Sequence, residues 1–144
     1  RYQPPCGGPL AAHWLWDTPV RVVVDTNALM MPVECDVRLF EALERLLGAV
    51  ECLVPAAVVA ELDDLAGSAS EEARAASVGR DLAERCETIE TEQAYADDAV
   101  LAAGLWETVD HVVTNDADLK ARLLDAGVSV ISLRGRHELA ITQP

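Results

Sequence analysis

The sequence of 144 residues has a single lysine, Lys120, few aromatic residues and no long apolar run. Because no segment has the length of a membrane span, we expect no contact with a membrane. The first residues lack the apolar run and small-residue cleavage site of a secretory signal, so we expect a cytoplasmic protein. With three tryptophans, two tyrosines and one phenylalanine, the core must consist mainly of valine, leucine and alanine.

The four cysteines, Cys6, Cys35, Cys52 and Cys86, are scattered along the chain and include no CxxC pair. This spacing argues against a structural zinc site and, at this chain length, against a disulfide framework. We therefore expect reduced thiols, most of them buried, as is usual for a cytoplasmic protein.

Positive charge is scarce, because 11 lysine and arginine residues face 25 aspartate and glutamate residues and leave a formal net charge of −14. Acidic, lysine-poor and alanine-rich compositions are typical of proteins from salt-loving archaea, in which salt screens the repulsion between like charges. Taken alone, the net charge argues against a polyanion such as nucleic acid as a partner.

Strand-like and helix-like segments alternate from residue 20 onward, which predicts a three-layer α/β/α fold around a twisted parallel sheet. We expect residues 20–144 to form this one domain. Residues 1–19 contain prolines, glycines and tryptophans without any periodicity, and we expect them to be an N-terminal arm outside the core. The predicted strands are 20–24, 51–55, 111–116 and 128–133, with an edge strand over 137–141, and the predicted helices are 36–48, 56–67, 68–90, 97–107 and 117–127.

Acidic residues follow the ends of two predicted strands. Asp25 comes directly after "VRVVV", and Asp116 ends "HVVTND". Since ligands bind at the carboxyl ends of parallel strands, both should lie at the same edge of the sheet. Glu61, in the helix after the second strand, and Asp98, in the first turn of a later helix, are expected to join them. Clustered carboxylates repel one another, and Mg²⁺ or Mn²⁺ is the cation that an all-oxygen ligand set favours.

Each of these acids also has a purely structural interpretation. Asp25 could cap the helix that follows it, and Glu61 could be a solvated helix residue. Asp97 is the candidate N-cap of its helix, while Asp116 and Asp118 could be turn residues at the start of another helix. The joint placement of the acids, rather than any one of them, favours a metal site.

Four segments resemble, in their order, the four acidic motifs of PIN-domain ribonucleases: "VVVDTNALM", "VPAAVVAEL", "YADDAVLAA" and "VVTNDADLK". The resemblance covers residues 20–141 and is nearer to the archaeal, Fcf1-like ribosome-biogenesis branch than to the compact, VapC-like toxins. It implies a PIN-like nuclease domain that binds Mg²⁺ or Mn²⁺ and cleaves RNA endonucleolytically with a metal-activated water. The implied catalytic and metal-binding acids are Asp25, Glu61, Asp98 and Asp116.

The same resemblance implies supporting roles for other residues. Asn27 and the Thr114 hydroxyl would brace the pocket, and Asp97 and Asp118 would lie beside it. The partners it implies are an RNA substrate and either a second copy of the chain or a protein such as an antitoxin or a ribosome-assembly factor. PIN nucleases usually hold RNA phosphates with basic residues, and the few candidates here are Lys120, Arg122, Arg134 and Arg136.

Two other functions remain open from the sequence. One is a PIN scaffold with little or no catalytic activity that serves in ribosome assembly or in toxin–antitoxin pairing. The other is a phosphatase or phosphotransfer domain with an acidic pocket. Such enzymes need a second aspartate two residues after the first or a lysine in the pocket, but the second position is Asn27 and the only lysine lies in "DADLK".

The expected arm generates a first prediction. Deletion of residues 1–19 should leave the melting temperature of the domain nearly unchanged, because the arm contributes little to the predicted core. Thermal unfolding followed by circular dichroism of the full and shortened chains measures this. A large loss of thermal stability on deletion would show that the arm belongs to the domain.

Overall fold

The computed structural model describes residues 18–144, so residues 1–17 of the predicted arm lie outside the described residues. No helix in the described part is long and apolar enough to cross a membrane. The elements of residues 18–144 are, in chain order, β1 (Val20–Val24), α1 (Thr26–Glu34), α2 (Leu39–Leu47), β2 (Val50–Pro55), α3 (Ala56–Ala66), α4 (Ala73–Ala83), β3 (Glu87–Ile89), α5 (Ala96–Gly104), β4 (His111–Val113), α6 (Ala117–Asp125), β5 (Val130–Arg134) and β6 (Glu138–Thr142).

The strands form one sheet in the order β3-β2-β1-β4-β5-β6. The first five run parallel, and β6 pairs antiparallel with β5 at the edge. From β1 the chain proceeds to β2 and β3 on one side and then returns to place β4 and β5 on the other side. The strand order therefore reverses between β1 and β4, which is where open α/β sheets bind their ligands.

Helices cover both faces of the sheet. Val22, Val23 and Val24 in β1 are all fully buried, and so are Val112 and Val113 in β4. Since successive side chains of a strand point to opposite faces, a run of buried residues requires cover on both sides. The predicted three-layer α/β fold is confirmed, with the addition that its edge strand β6 is antiparallel.

The prediction of one helix over residues 68–90 is wrong. The serines at its predicted start form a turn, in which the Ser68 hydroxyl donates to the Leu65 carbonyl at 2.7 Å, and the helix α4 ends at Ala83. Residues Glu87–Ile89 instead form β3, with Thr88 beside Val54 of β2. The edge of β2 supplies backbone partners for this segment, and a local helical pattern does not reveal them.

Helix α1 was expected only in the alternative in which Asp25 caps a following helix, and its range was not predicted. It begins directly after Asp25 and contains Pro32, which has no backbone N–H and therefore weakens the local helical signal. The helix forms because tertiary packing compensates: Ala28, Leu29 and Met31 are completely buried. This burial fixes α1 beside the end of β1.

Helices α1 and α4 approach each other closely at Gly79. A Cβ atom at this position would lie 3.0 Å from the Leu29 carbonyl oxygen and 3.2 Å from Cδ2 of Leu62. The nearer atom belongs to the backbone of α1, so a larger residue would have to displace that helix. Glycine is therefore the residue that allows α4 to hold α1 in place.

Replacing this glycine tests the contact. Gly79→Ala should lower the free energy of unfolding by about 1–3 kcal/mol through overpacking, even though alanine favours a helix by about 1 kcal/mol. Urea denaturation measures the change. Gly67→Ala is the matched control, because its added Cβ would lie 3.6 Å from the Asp63 carbonyl oxygen, an ordinary contact. Equal stability of the two variants would contradict a limiting approach at Gly79.

Candidate functional site

Asp25 lies at the carboxyl end of β1 and is only 3% exposed. Its Oδ1 accepts a hydrogen bond from the Ala28 backbone N–H at 2.8 Å, so the residue caps α1. Its Oδ2 accepts a hydrogen bond from the hydroxyl of Thr114, which follows β4. The carboxylate is thus held between the ends of β1 and β4, at the point where the strand order reverses.

The environment of Asp25 disfavours its charged form. Burial raises the pKa of this carboxyl from 3.8 to about 7, although the hydrogen bonds from Thr114 and Ala28 act in the opposite direction. The two charges that act on it, Asp97 and Asp116, are both negative and raise the pKa further. Strongly shifted pKa values are frequent among the residues of functional sites.

Asp116 is fixed by the same kind of interaction as Asp25. It is the N-cap of α6, and its Oδ1 accepts from the Leu119 N–H at 2.9 Å. The Asp116 backbone N–H donates to the Thr114 hydroxyl oxygen at 3.0 Å. The Thr114 side chain therefore contacts both Asp25 and the backbone of Asp116.

Two asparagine side chains join the ends of three elements. Asn27 Oδ1 accepts from the Asn115 backbone N–H at 2.9 Å, and Asn115 Oδ1 accepts from the Leu133 N–H at 2.7 Å. These bonds link α1 to the segment after β4 and that segment to β5. The sequence analysis singled out Asn27 but missed Asn115, whose position between Thr114 and Asp116 at a strand end was the available signal.

The adjacent residues Asp97 and Asp98 have different surroundings. Tyr95 is the N-cap of α5, so the prediction that Asp97 caps this helix is wrong. Burial, together with the charges of Asp116 and Glu61, raises the pKa of Asp97. Asp98 instead accepts a hydrogen bond from Nη2 of Arg122 at 3.0 Å, and both side chains are about half exposed. Asp97, predicted as a supporting residue, is therefore the acid of this pair that acts on Asp25.

Glu61 and Asp118 are both exposed. Glu61, on α3, raises the pKa of Asp97, which places its charge on the side of the molecule where Asp97 and Asp116 lie. Asp118 lies in the first turn of α6, where the helix dipole favours a negative charge. Within residues 18–144, no three histidine, cysteine, aspartate or glutamate side chains are close enough together to hold one metal ion. Asp25 and Asp116 lie at this edge, and the acids of the described part do not form a closed metal cage.

The predicted RNA-binding residues lie near this edge in two groups. Lys120 and Arg122 are on α6, where the Lys120 ammonium donates to the Ser132 hydroxyl at 3.2 Å and Arg122 pairs with Asp98. Arg134 and Arg136 are exposed, at the end of β5 and in the turn that follows it. Because β5 runs parallel to β1, this turn lies at the edge of the sheet that carries Asp25.

The family model described as a PIN like domain matches residues 22–136, so the chain belongs to the PIN-like domain family. Its structure is similar to that of the PIN domain endonuclease Utp24, with 26% sequence identity, a TM-score of 0.72, and coverage of 88% of this chain and 93% of that chain. The chain therefore has a PIN domain nuclease fold.

A domain of a functionally unknown protein from Methanocaldococcus jannaschii has the same fold, with 20% identity, a TM-score of 0.55, and coverage of 83% of this chain and 94% of that chain. No curated protein sequence matches this chain. These likenesses fix the family and the fold and leave the branch within the family open.

The shifted pKa of Asp25 predicts how stability depends on pH. Folding raises this pKa from 3.8 to about 7, because the folded protein favours the protonated carboxyl. The contribution of Asp25 to the free energy of unfolding is therefore complete below pH 3.8 and is lost as the pH rises through 7. Asp25→Asn keeps an oxygen for the Ala28 N–H but removes the charge. In buffer without divalent cations at pH 8, the free energy of unfolding of this variant should exceed that of the natural chain by up to about 4 kcal/mol.

Urea denaturation of both proteins at pH 4, 6 and 8 measures this difference, which should shrink toward pH 4. Asp125→Asn is the matched control, because Asp125 is exposed at the far end of α6, and its difference from the natural chain should not depend on pH. If Asp25→Asn is less stable than the natural chain at pH 8, Asp25 is only a helix cap.

Proposed function

We propose that this protein is a metal-dependent endoribonuclease that uses Mg²⁺ or Mn²⁺ to hydrolyse phosphodiester bonds of RNA. The observation that carries the proposal is the buried carboxyl of Asp25, which lies where the strand order reverses and is influenced by two further acids. Burying an ionised carboxylate is costly unless a cation or hydrogen bonds compensate for the lost water. A divalent cation at this edge would provide that compensation.

The chemistry of the site residues fits a hard divalent cation. The candidate ligands are carboxylate oxygens, which Mg²⁺ and Mn²⁺ prefer to bind. The Thr26 hydroxyl next to Asp25 adds a buried oxygen that has no hydrogen-bond partner among residues 18–144. When bound, such an ion polarises the phosphate and lowers the pKa of a water molecule. The proposed ligands are Asp25, Glu61, Asp98 and Asp116, with Asp97 as a further candidate.

The chain's own residues prepare the site in two ways. The caps of α1 and α6 orient the carboxylates of Asp25 and Asp116, because one oxygen of each is held by a backbone N–H. Thr114 fixes the distance between the two strand ends through its bonds to both residues. Acids that are held before substrate binds lose less conformational freedom during the reaction, which is the benefit of a preorganised site.

Asp98 of α5 would have to change partners when RNA binds. Asp98 and Arg122 form an ion pair with both side chains about half exposed, so the pair is weak and screened by solvent. A phosphate of RNA can replace the Asp98 carboxylate at the Arg122 guanidinium, because arginine binds both groups in the same planar geometry. This exchange would free Asp98 to approach the other acids.

Surface features favour single-stranded RNA as the substrate. Tyr95 is 77% exposed and lies two residues before Asp97, where its ring offers a face for a nucleobase. Arg134 and Arg136 project at the same edge and would contact phosphates beyond the cleaved bond. Because the rest of the chain is strongly acidic, RNA contacts would be confined to these residues, and they would weaken as salt increases.

Two observations favour a second candidate, a PIN scaffold with little catalytic activity. The ion pair between Asp98 and Arg122 neutralises one of the four acids, and no three acids of the described part form a ready metal site. Such a scaffold would act through a protein partner, either a second copy, an antitoxin or a ribosome-assembly factor. A phosphatase is disfavoured, because Asn27 stands where a second aspartate is needed and its side chain braces Asn115.

A cleavage assay tests the proposed activity. The protein should cleave a labelled single-stranded RNA internally when Mn²⁺ or Mg²⁺ is present and should stop when a chelator is added. Asp25→Asn and Asp116→Asn should each reduce the cleavage rate by roughly 100-fold or more, because each removes a carboxylate from the reacting centre. The length of the products on a gel shows whether cleavage is internal. The amount of product over time, measured at several potassium chloride concentrations, gives the rates.

Asp125→Asn serves as the control, since it removes the same charge from α6 far from the acidic edge and should cleave at the natural rate. A chromogenic phosphomonoester assayed in parallel separates a phosphatase from a nuclease. A folded protein that cleaves neither RNA nor the phosphomonoester with either metal would favour the scaffold.

A further inference from the structure

We propose that Cys52 and Cys86 form a dithiol pair that peroxide oxidises to a disulfide bond. Cys52 lies in β2, and Cys86 immediately precedes β3. These strands pair in parallel with Leu53 beside Glu87, so the residues before them, Cys52 and Cys86, lie side by side. Neighbouring strands are about 4.8 Å apart, within the range of about 4.4–6.8 Å between the Cα atoms of a disulfide.

The two side chains also point to the same face of the sheet. Residues opposite each other in neighbouring strands share a face, and both cysteines pack against the hydrophobic core. Cys86 precedes the paired residues of β3, and its backbone N–H donates to the Ala83 carbonyl at 3.0 Å, which holds it beside Cys52. The sequence analysis did not reveal this proximity, because the segment that contains Cys86 and β3 was predicted as part of a helix.

A small cavity leads to Cys52. It has a volume of about 100 Å³, and its walls include the side chains of Phe40, Glu44, Cys52 and Arg85. Cys52 itself is 7% exposed, so a bulky oxidant has poor access. A water-sized oxidant such as hydrogen peroxide fits a cavity of this size, which makes peroxide the class of oxidant we assign.

The surroundings of the pair favour a thiolate at Cys52. A hydrogen bond with the Cys86 thiol lowers the pKa of Cys52, and the Arg85 charge lowers it further, against the effects of burial, Glu44 and Glu51. The hydrogen bond with Cys52, together with burial, raises the pKa of the Cys86 thiol. The Arg85 guanidinium is held over the Phe40 ring, 4.2 Å from its centre. Because Cys52 lines the cavity together with Arg85, whereas Cys86 does not, Cys52 is the sulfur that attacks peroxide and Cys86 is the one that resolves the product.

The oxidation proceeds in two balanced steps. The Cys52 thiolate attacks one peroxide oxygen, the O–O bond breaks, and a sulfenic acid forms while hydroxide leaves and takes a proton to become water. The Cys86 sulfur then attacks the Cys52 sulfur, and the S–O bond breaks. The leaving hydroxide takes the proton of Cys86. In sum, two thiols and one peroxide give one disulfide and two waters, with two electrons transferred to the peroxide.

The disulfide would join the short edge strand β3 to β2 and close a loop that contains α3 and α4. Closing such a loop restricts the unfolded chain and stabilises the folded protein. Both cysteines lie before the carboxyl ends of their strands, so the bond does not touch Asp25 or the other acids of the proposed nuclease site. The pair would protect an exposed sheet edge from opening when peroxide is present.

Peptide mapping after treatment with hydrogen peroxide tests the pair. We expect a peptide in which Cys52 and Cys86 are linked, and a melting temperature roughly 5–15 °C above that of the protein kept in reductant. Cys52→Ser and Cys86→Ser should abolish both changes. Cys35→Ser is the control, because Cys35 follows α1 and should leave the linked peptide and the temperature shift intact.

A charge variant tests the assigned roles. Arg85→Leu should slow the loss of free thiols by roughly three- to tenfold, because less of Cys52 is a thiolate, while the final disulfide still forms. The proposal is wrong if peroxide links Cys52 or Cys86 to Cys6 or Cys35 instead, or if Cys52 accumulates as a sulfinic acid beside an unmodified Cys86. A linked pair without any rise in melting temperature would contradict the stabilising role.

Discussion

The burial of one carboxylate is the constraint on which the arrangement of this site depends. Asp25 is placed by three fully buried valines of β1 and is held from both sides, by the first turn of α1 and by the Thr114 hydroxyl. Each contact comes from a different part of the chain, so the position of Asp25 depends on the packing of β1, β4 and α1 against one another. A buried acid that repels its neighbours lowers stability, and proteins commonly retain such residues for function.

The acidic edge combines rigid and adjustable members. Asp25 and Asp116 are fixed by caps and by a shared threonine, whereas Asp98 is engaged by Arg122 and Glu61 is exposed. The chain belongs to the PIN-like domain family and is similar in structure to an endonuclease. The strongly negative net charge would restrict where the proposed nucleic-acid substrate binds, since few basic residues lie near the edge. In the proposed site, Asp25 and Asp116 would therefore act both as helix caps and as metal ligands.

Much of the fold could be predicted because it follows from local patterns. Strand β1, with its run of valines before Asp25, and helix α6, with Asp116 at its start, are visible in the sequence. Asp97 shows where this reasoning fails. Its sequence context fits an N-cap, but α5 begins one residue earlier than predicted, with Tyr95 as the cap, and the acid faces the charges of Asp116 and Glu61. Strand β3 was not predicted for a related reason, since the periodicity of three residues is too short to be told apart from the helical pattern before them.

The sequence by itself determined the α/β class, the burial of the central strands and the acids at the ends of β1 and β4, because hydrophobic periodicity and strand-end position are local properties. Only the tertiary structure decided which of two adjacent aspartates acts on Asp25, that Asn115 joins Asn27 to β5, and that Cys52 lies beside Cys86. These facts depend on strand order and register, which arise when segments far apart in the chain satisfy each other's backbone hydrogen bonds.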